Sequence, residues 1–237
     1  MRNYWKMILF VIIYGASCIF MLLKEGDFLY PMLVWNVMLS TVPLFMIRYA
    51  AEKENVWMKR IFMFLWILFL PNAFYMITDF IHITNHPMIW VIPVEPYSGL
   101  TGTRYSMDAY LWVRLLIISL GAFYALLAAL ESTRVFLGMI DTKRSAFRRT
   151  SSLFLISLLS GTGIYIGRFL RFNSWDILNP VRLIGSLIRS ADAFSISFIL
   201  IYTVFILSTF LVFSMFHPEV TERYLLKSEE KTDKDIS

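Results

Sequence analysis

The chain has 237 residues, of which 58% are hydrophobic and only 16% charged, against roughly 25% charged in a soluble domain. With a mean hydropathy of +0.63, this composition excludes an ordinary soluble fold. The net charge of +5 comes from cations that flank apolar blocks rather than from a Lys/Arg run, which excludes nucleic acid as a partner. The single cysteine, Cys18, leaves no intramolecular disulfide and no cysteine-based metal site.

The apolar residues fall into blocks of about 20, enough to cross a hydrocarbon core of about 30 Å as helix. The fold class read from them is all-α: a polytopic membrane bundle of six spans. The first, Trp5–Leu23, has Arg2 and Lys6 at its start, ahead of the apolar run. It is longer than a signal-peptide core of about 7–15 residues and has no small-residue cleavage site after it, so it is expected to stay as a span. Phe28–Ile47 and Trp57–Thr78 follow, the latter with helix that could run on past the lipid. Ala109–Leu130, Ser152–Leu170 and Phe194–Phe216 complete the set, and Pro218 stops the last helix.

Placing the N-terminus in the cytoplasm puts 15 Lys and Arg residues on that side and 6 on the other, with Arg114 left inside the fourth span. The positive-inside rule therefore predicts both termini in the cytoplasm. Residues 1–218 read as one transmembrane domain, and 219–237 as a charged, disordered cytoplasmic tail.

The two loops on the outer side are amphipathic. Residues 83–110 carry Pro87, Pro93, Pro96, Trp90 and Tyr97 among apolar residues and are expected at the interface. In the other loop Val181, Ile184 and Ile188 recur at helical spacing, with Arg182 and Arg189 elsewhere on the wheel, which predicts a short interfacial helix capped by Asn173 or Ser174.

The polar residues inside the spans gather toward the same side. In LPNAFYMITDFIHITNHP, the residues Asn72, Tyr75, Asp79, His82 and His86 step by three or four and form one stripe if the helix continues. Pro71 is expected to bend that helix and free backbone carbonyls. Asp79 and His82 are the candidate acid and base, since His titrates near neutral pH. They also share a face, but no H-E-x-x-H or similar motif accompanies them and no metal or other cofactor is expected.

Arg114 lies about five residues inside its span, roughly 8 Å deep at 1.5 Å per residue, where it must snorkel or pair, with Asp79 or Asp108 as candidates. In YIGRFLRFNSWD, Arg168 and Arg171 share a helix face on a span whose Gly161, Gly163 and Gly167 let a neighbour approach closely. Arginine's planar fork matches a phosphate or a carboxylate. The anion these cations face is therefore Asp79, Glu95, Asp176 or a lipid phosphate.

The segments LPNAFYMITDFIHI and GRFLRFNSWD resemble the two signature segments of bacterial integral membrane proteins catalogued as domain of unknown function 1361, with Phe74 standing where the family pattern carries a second proline. The resemblance covers roughly residues 30–215. It implies a bacterial plasma membrane and marks Asn72, Tyr75, Asp79, His82, Arg168, Arg171, Asn173, Trp175 and Asp176 as the site; it implies no activity.

Three functions stay open. The first is a non-catalytic membrane protein that assists cell-envelope lipid or polymer assembly. Its partners would be membrane lipids and an envelope enzyme, a transporter or a second copy of itself. The second is an enzyme or binder for an outer-leaflet lipid or lipid-linked phosphate, held by Arg114, Arg168 and Arg171. The third is a small transporter or channel subunit. No nucleotide-binding or G-x-S-x-G motif is present.

Overall fold

The structure, a computed structural model, describes residues 4–85, 87–93, 102–140, 146–172, 176 and 179–217. Among these, six helices are long and apolar enough to cross a membrane, and the chain is a multi-pass helical membrane protein. The spans are α1 (Tyr4–Glu25), α2 (Leu29–Glu52), α3 (Val56–Tyr75) with a 3-10 extension (Met76–Asn85), α4 (Ala109–Met139), α5 (Ala146–Phe169) and α7 (Ala193–Met215). Between α5 and α7 lies the short α6 (Pro180–Arg189), and between the 3-10 segment and α4 the two strands β1 (Ile89–Val91) and β2 (Thr103–Tyr105) pair antiparallel. Pro218 and the tail 219–237 lie outside the described residues.

Local chemistry sets the helix ends. Asn55 caps α3 by accepting from the Trp57 and Met58 amides, and Asp108 caps α4 by accepting from Tyr110. Asp192 and Ser195 form a reciprocal capping box on α7, and the Ser195 N–H holds the exposed Asp192 carboxyl below its ordinary range. The cap of α6 is Asn179, with Pro180 in the first turn; Asn173 and Ser174, expected in that role, lie outside the described residues. None of α6 is buried, and Val181, Ile184 and Ile188 are exposed together, as an interfacial helix requires.

The continuation of α3 is the main departure from the expected stripe. Five of the ten residues Met76–Asn85 are Ile or Thr, whose branched side chains disfavour the α-helix. The hydroxyls of Thr78 and Thr84 bond back to the Tyr75 and Ile81 carbonyls. The segment winds as a 3-10 helix, with three residues per turn, so Asp79 stands directly beneath His82. Asn72 and Tyr75 remain on α3, and His86 lies outside the described residues. Pro71 sits inside α3, which continues through it.

The helix α4 is central: it packs against α1, α2, α3, α5, α7 and the 3-10 segment. The other spans surround it, α3 between α2 and α5, and α5 against α7, while α2 and α5 make no substantial contact with each other. In lipid the hydrophobic effect does little between spans, so close packing and interhelical hydrogen bonds hold them. Trp66 donates to Ser132 Oγ at 3.2 Å between α3 and α4, and Tyr14 donates to the Ile117 carbonyl at 3.2 Å between α1 and α4.

Glycines on α5 set its spacing. A Cβ added at Gly163 would stand 2.6 Å from Pro71 Cγ on α3, and one at Gly161 would stand 2.8 Å from the Ile199 carbonyl on α7. Gly163→Val is therefore expected to overpack the α3–α5 contact, costing roughly 1–3 kcal/mol. Gly15→Ala, where nothing lies within 4 Å, is expected to hold or raise the thermal midpoint in detergent. Equal midpoints for the two variants would contradict this packing.

Candidate functional site

With six spans among the described residues, the start of α1 and the end of α7 lie at one end of the bundle. The other, the loop end, carries the α1–α2 link, the β-hairpin and α6. Two arginine clusters occupy the loop end.

The first cluster centres on Asp79, which is fully buried. One carboxylate oxygen accepts from Arg168 Nη2 at 2.9 Å, and the other from Asn36 Nδ2 at 2.9 Å. The same Arg168 nitrogen donates to the Thr78 hydroxyl, and the guanidinium stacks over the Tyr75 ring at 4.6 Å. Arg168 stands in the last turn of α5, where a cation complements the helix dipole. The cluster thus joins α2, the α3 extension and α5 through one charge-neutral pair. His82, one 3-10 turn from Asp79, keeps a buried Nε2 with no hydrogen-bond partner among the described residues.

The second cluster surrounds Arg114, whose side chain is only 3% exposed. Its Nη1 reaches Glu25 Oε2 at 3.0 Å and its Nη2 reaches Asp27 Oδ2 at 2.8 Å. The fold makes this possible at Gly26, which takes φ +67° and returns its N–H to the Leu22 carbonyl. A left-handed residue there ends α1 and turns the two flanking carboxylates to the same arginine. Tyr30 donates to Glu25 Oε2 at 2.6 Å, and Asp27 Oδ1 accepts from the Leu29 amide. Asp108, an expected partner of Arg114, instead caps α4.

Arg168 and Arg171 do not share a helix face. The helix ends at Phe169, and Arg171 adopts φ 56° while the Phe172 amide bonds back to the Ile166 carbonyl. Arg171 is exposed beyond the turn. A non-glycine residue in this conformation costs roughly 1–2 kcal/mol, which the closure of the helix end offsets.

Because α2 and α5 stand apart in front of α3, a groove of about 490 Å³ opens between them. Its walls include Leu39, Phe64, Leu159 and Ile166, and its polar lining includes Asn36, Asn72, Tyr75 and Thr162. Pro71 and Gly163 give it a flat floor, and Leu183 of α6 stands at its loop end. Trp35, Phe64 and Leu159 are also exposed on the outside of the bundle, so the groove opens sideways from it.

A family model described as "Protein of unknown function (DUF1361)" matches residues 35–209. The chain belongs to this family. No curated protein and no solved structure matches it. The matched region of this DUF1361 protein holds the whole Asp79 cluster and Arg114, while Glu25 and Asp27 precede it.

The structure brings together four of the expected site residues, Tyr75, Asp79, His82 and Arg168, and places Asn72 beside them in the groove. Arg114 forms a separate centre and Arg171 stands outside both. Asp176 is the start of the approach to α6, and Asn173 and Trp175 lie outside the described residues. Sequence reasoning missed Asn36, Thr78, Glu25 and Asp27. Asn36 is a lone amide in an apolar run, and its only signal is that it is polar there. For Glu25 and Asp27 the signal is E-G-D at the end of a span on the same side as Arg114.

Proposed function

We propose that this DUF1361 protein is a non-catalytic protein of a bacterial plasma membrane that assists cell-envelope lipid or polymer assembly by holding an amphiphile in its groove. The observation that carries this reading is the closure of both arginines by the chain's own carboxylates. Cations already paired in this way have less left for a phosphate, and displacing Asp79 would leave it buried and unpaired. The arginines act as clasps, and the groove beside them is the part of the site open to a ligand. Both termini face the cytoplasm in this reading, from the Lys/Arg bias, with residues 219–237 as a charged tail. The clasps, the groove and α6 then lie in the outer half, where an envelope enzyme, a transporter or a second copy would dock.

The test is native mass spectrometry of the full chain in gentle detergent, wild type beside Arg168→Ala/Arg171→Ala. The expected outcome is a double mutant that loses folding and any bound lipid together, while wild type retains lipid and turns none over. A folded double mutant that has lost only an anionic lipid would reverse the assignment in favour of a phosphate site.

The unpartnered His82 Nε2 favours a second reading, hydrolysis of a lipid-linked phosphate. Water would add to phosphorus, its proton passing to His82 Nε2 and then to the lipid oxygen that leaves as the P–O bond breaks. Phosphate release from an isoprenyl phosphate in mixed micelles, abolished in His82→Gln, would support it. The non-catalytic reading expects none from either protein.

A further inference from the structure

Resting on the reading of the groove as the ligand site, we propose that its occupant is the ester-linked acyl chain of a membrane glycerolipid, with the ester carbonyl bonded by the Tyr75 phenol.

The first support is shape and position. At about 490 Å³ the groove lies within the roughly 300–1,000 Å³ of small-molecule sites. Unlike an enclosed cavity, it opens laterally between α2 and α5, past the exposed Trp35 and Phe64. A chain already in the bilayer can enter it without leaving hydrocarbon. The deep part is lined by Leu39, Phe64 and Leu159, which offer only dispersion contacts.

The second support is depth. The helix α6 carries its exposed apolar face of Val181, Ile184 and Ile188 as interfacial helices do. Leu183 of that helix lines the loop end of the groove, with Phe172 nearby. The mouth is therefore level with the membrane interface, and the polar lining begins just beneath it, at the depth where a glycerolipid passes from glycerol ester to chain.

The third support is the chemistry of the polar groups, which separates two chain-bearing ligands. The donor offered to the groove is neutral, the Tyr75 phenol. The cation beside it, Arg168, is held by Asp79 and stacked on the Tyr75 ring. A neutral donor beside a neutralised cation suits a carbonyl acceptor. An isoprenyl phosphate carries its dianionic group directly on the chain and would bring it against the buried Asp79 carboxylate. A glycerolipid places an uncharged carbonyl there and keeps its phosphate farther out, toward the exposed Arg171.

The test offers the full-length protein three probes in detergent micelles, read by native mass spectrometry. They are a diester phosphatidylglycerol, its diether counterpart with the same head group and chain length, and an isoprenyl phosphate. The diester is expected to be retained best. Each carbonyl hydrogen bond lost in the diether is expected to lower retention by about five-fold. Tyr75→Phe, which keeps the ring against Arg168, should remove most of the ester preference, and Leu159→Trp, which fills the deep part, should reduce retention of both lipids. Wild-type discrimination between diester and diether decides the proposal even if a variant does not fold. Equal retention of the two, or retention of neither, overturns it. Preference for the isoprenyl phosphate overturns the ester assignment and leaves the non-catalytic reading standing, whereas release of phosphate or fatty acid defeats that reading without emptying the groove.

Discussion

Arg168→Leu is expected to cost more stability than any other single substitution at the loop end, on the order of 3–5 kcal/mol. It strips from Asp79, which is 0% exposed, the only cation paired with it among the described residues, and leaves Asn36 as the main remaining donor. The reciprocal change, Asp79→Leu, should be milder. Arg168 is in the last turn of α5 and 16% exposed, so its long stem lets the guanidinium snorkel to the interface, an escape closed to a short carboxylate beneath a 3-10 turn. Combining the two should recover a large part of the loss, because a buried pair exchanged for apolar groups is often neutral. Reversible unfolding of the four proteins in mixed micelles gives the cycle directly. If Asp79→Leu proves the worse single mutant, Asp79 is not the dependent partner.

The second large effect is expected at Arg114 and is non-additive. Glu25→Gln alone leaves Asp27 paired with the arginine, and Asp27→Asn alone leaves Glu25. Each should cost roughly 1 kcal/mol, the scale of one charge-assisted bond at a partly exposed site. Glu25→Gln/Asp27→Asn removes both and strands a guanidinium that is 3% exposed. Unpaired arginine in a span costs at least about 2.5 kcal/mol, so the double variant should exceed the sum of the singles. The thermal midpoint of each variant in detergent, followed through the α1–α2 link by limited proteolysis, checks this. Strict additivity would mean that one carboxylate alone anchors Arg114.

How much of this was legible in the sequence differs by element. The six spans were, because a block of about 20 apolar residues has few alternatives, although α4 runs to Met139, past the expected Leu130. The amphipathic α6 was legible from Val181, Ile184 and Ile188. Asp79 was also legible as a candidate anion for Arg168, because both lie near the same end of their spans. The 3-10 extension was not. Helical stripes are read at 3.6 residues per turn, and the Ile and Thr content that tightens Met76–Asn85 is ordinary in a membrane helix. The partners of Arg114 were hidden for another reason. Glu25 and Asp27 look like residues of a solvated link until Gly26 turns them back, and that turn is a property of backbone conformation rather than of spacing. The strands Ile89–Val91 and Thr103–Tyr105 were likewise masked by the prolines around them.

The Asp79–Arg168 pair also has a consequence in time. Its members are 89 residues apart in the chain, and ribosomes add roughly 5–20 residues per second. The third span therefore reaches the membrane several seconds before the fifth exists. Through that interval its carboxyl has no cation; the mid-span cost of a carboxylate, roughly 2.5–3.5 kcal/mol on the insertion scale, is an upper bound for one so near the span's end. Asn36 belongs to the span made just before, and its amide is already in the bilayer when Asp79 arrives. That amide is the interim host, and Arg168 later completes a bond network that α2 and α3 began.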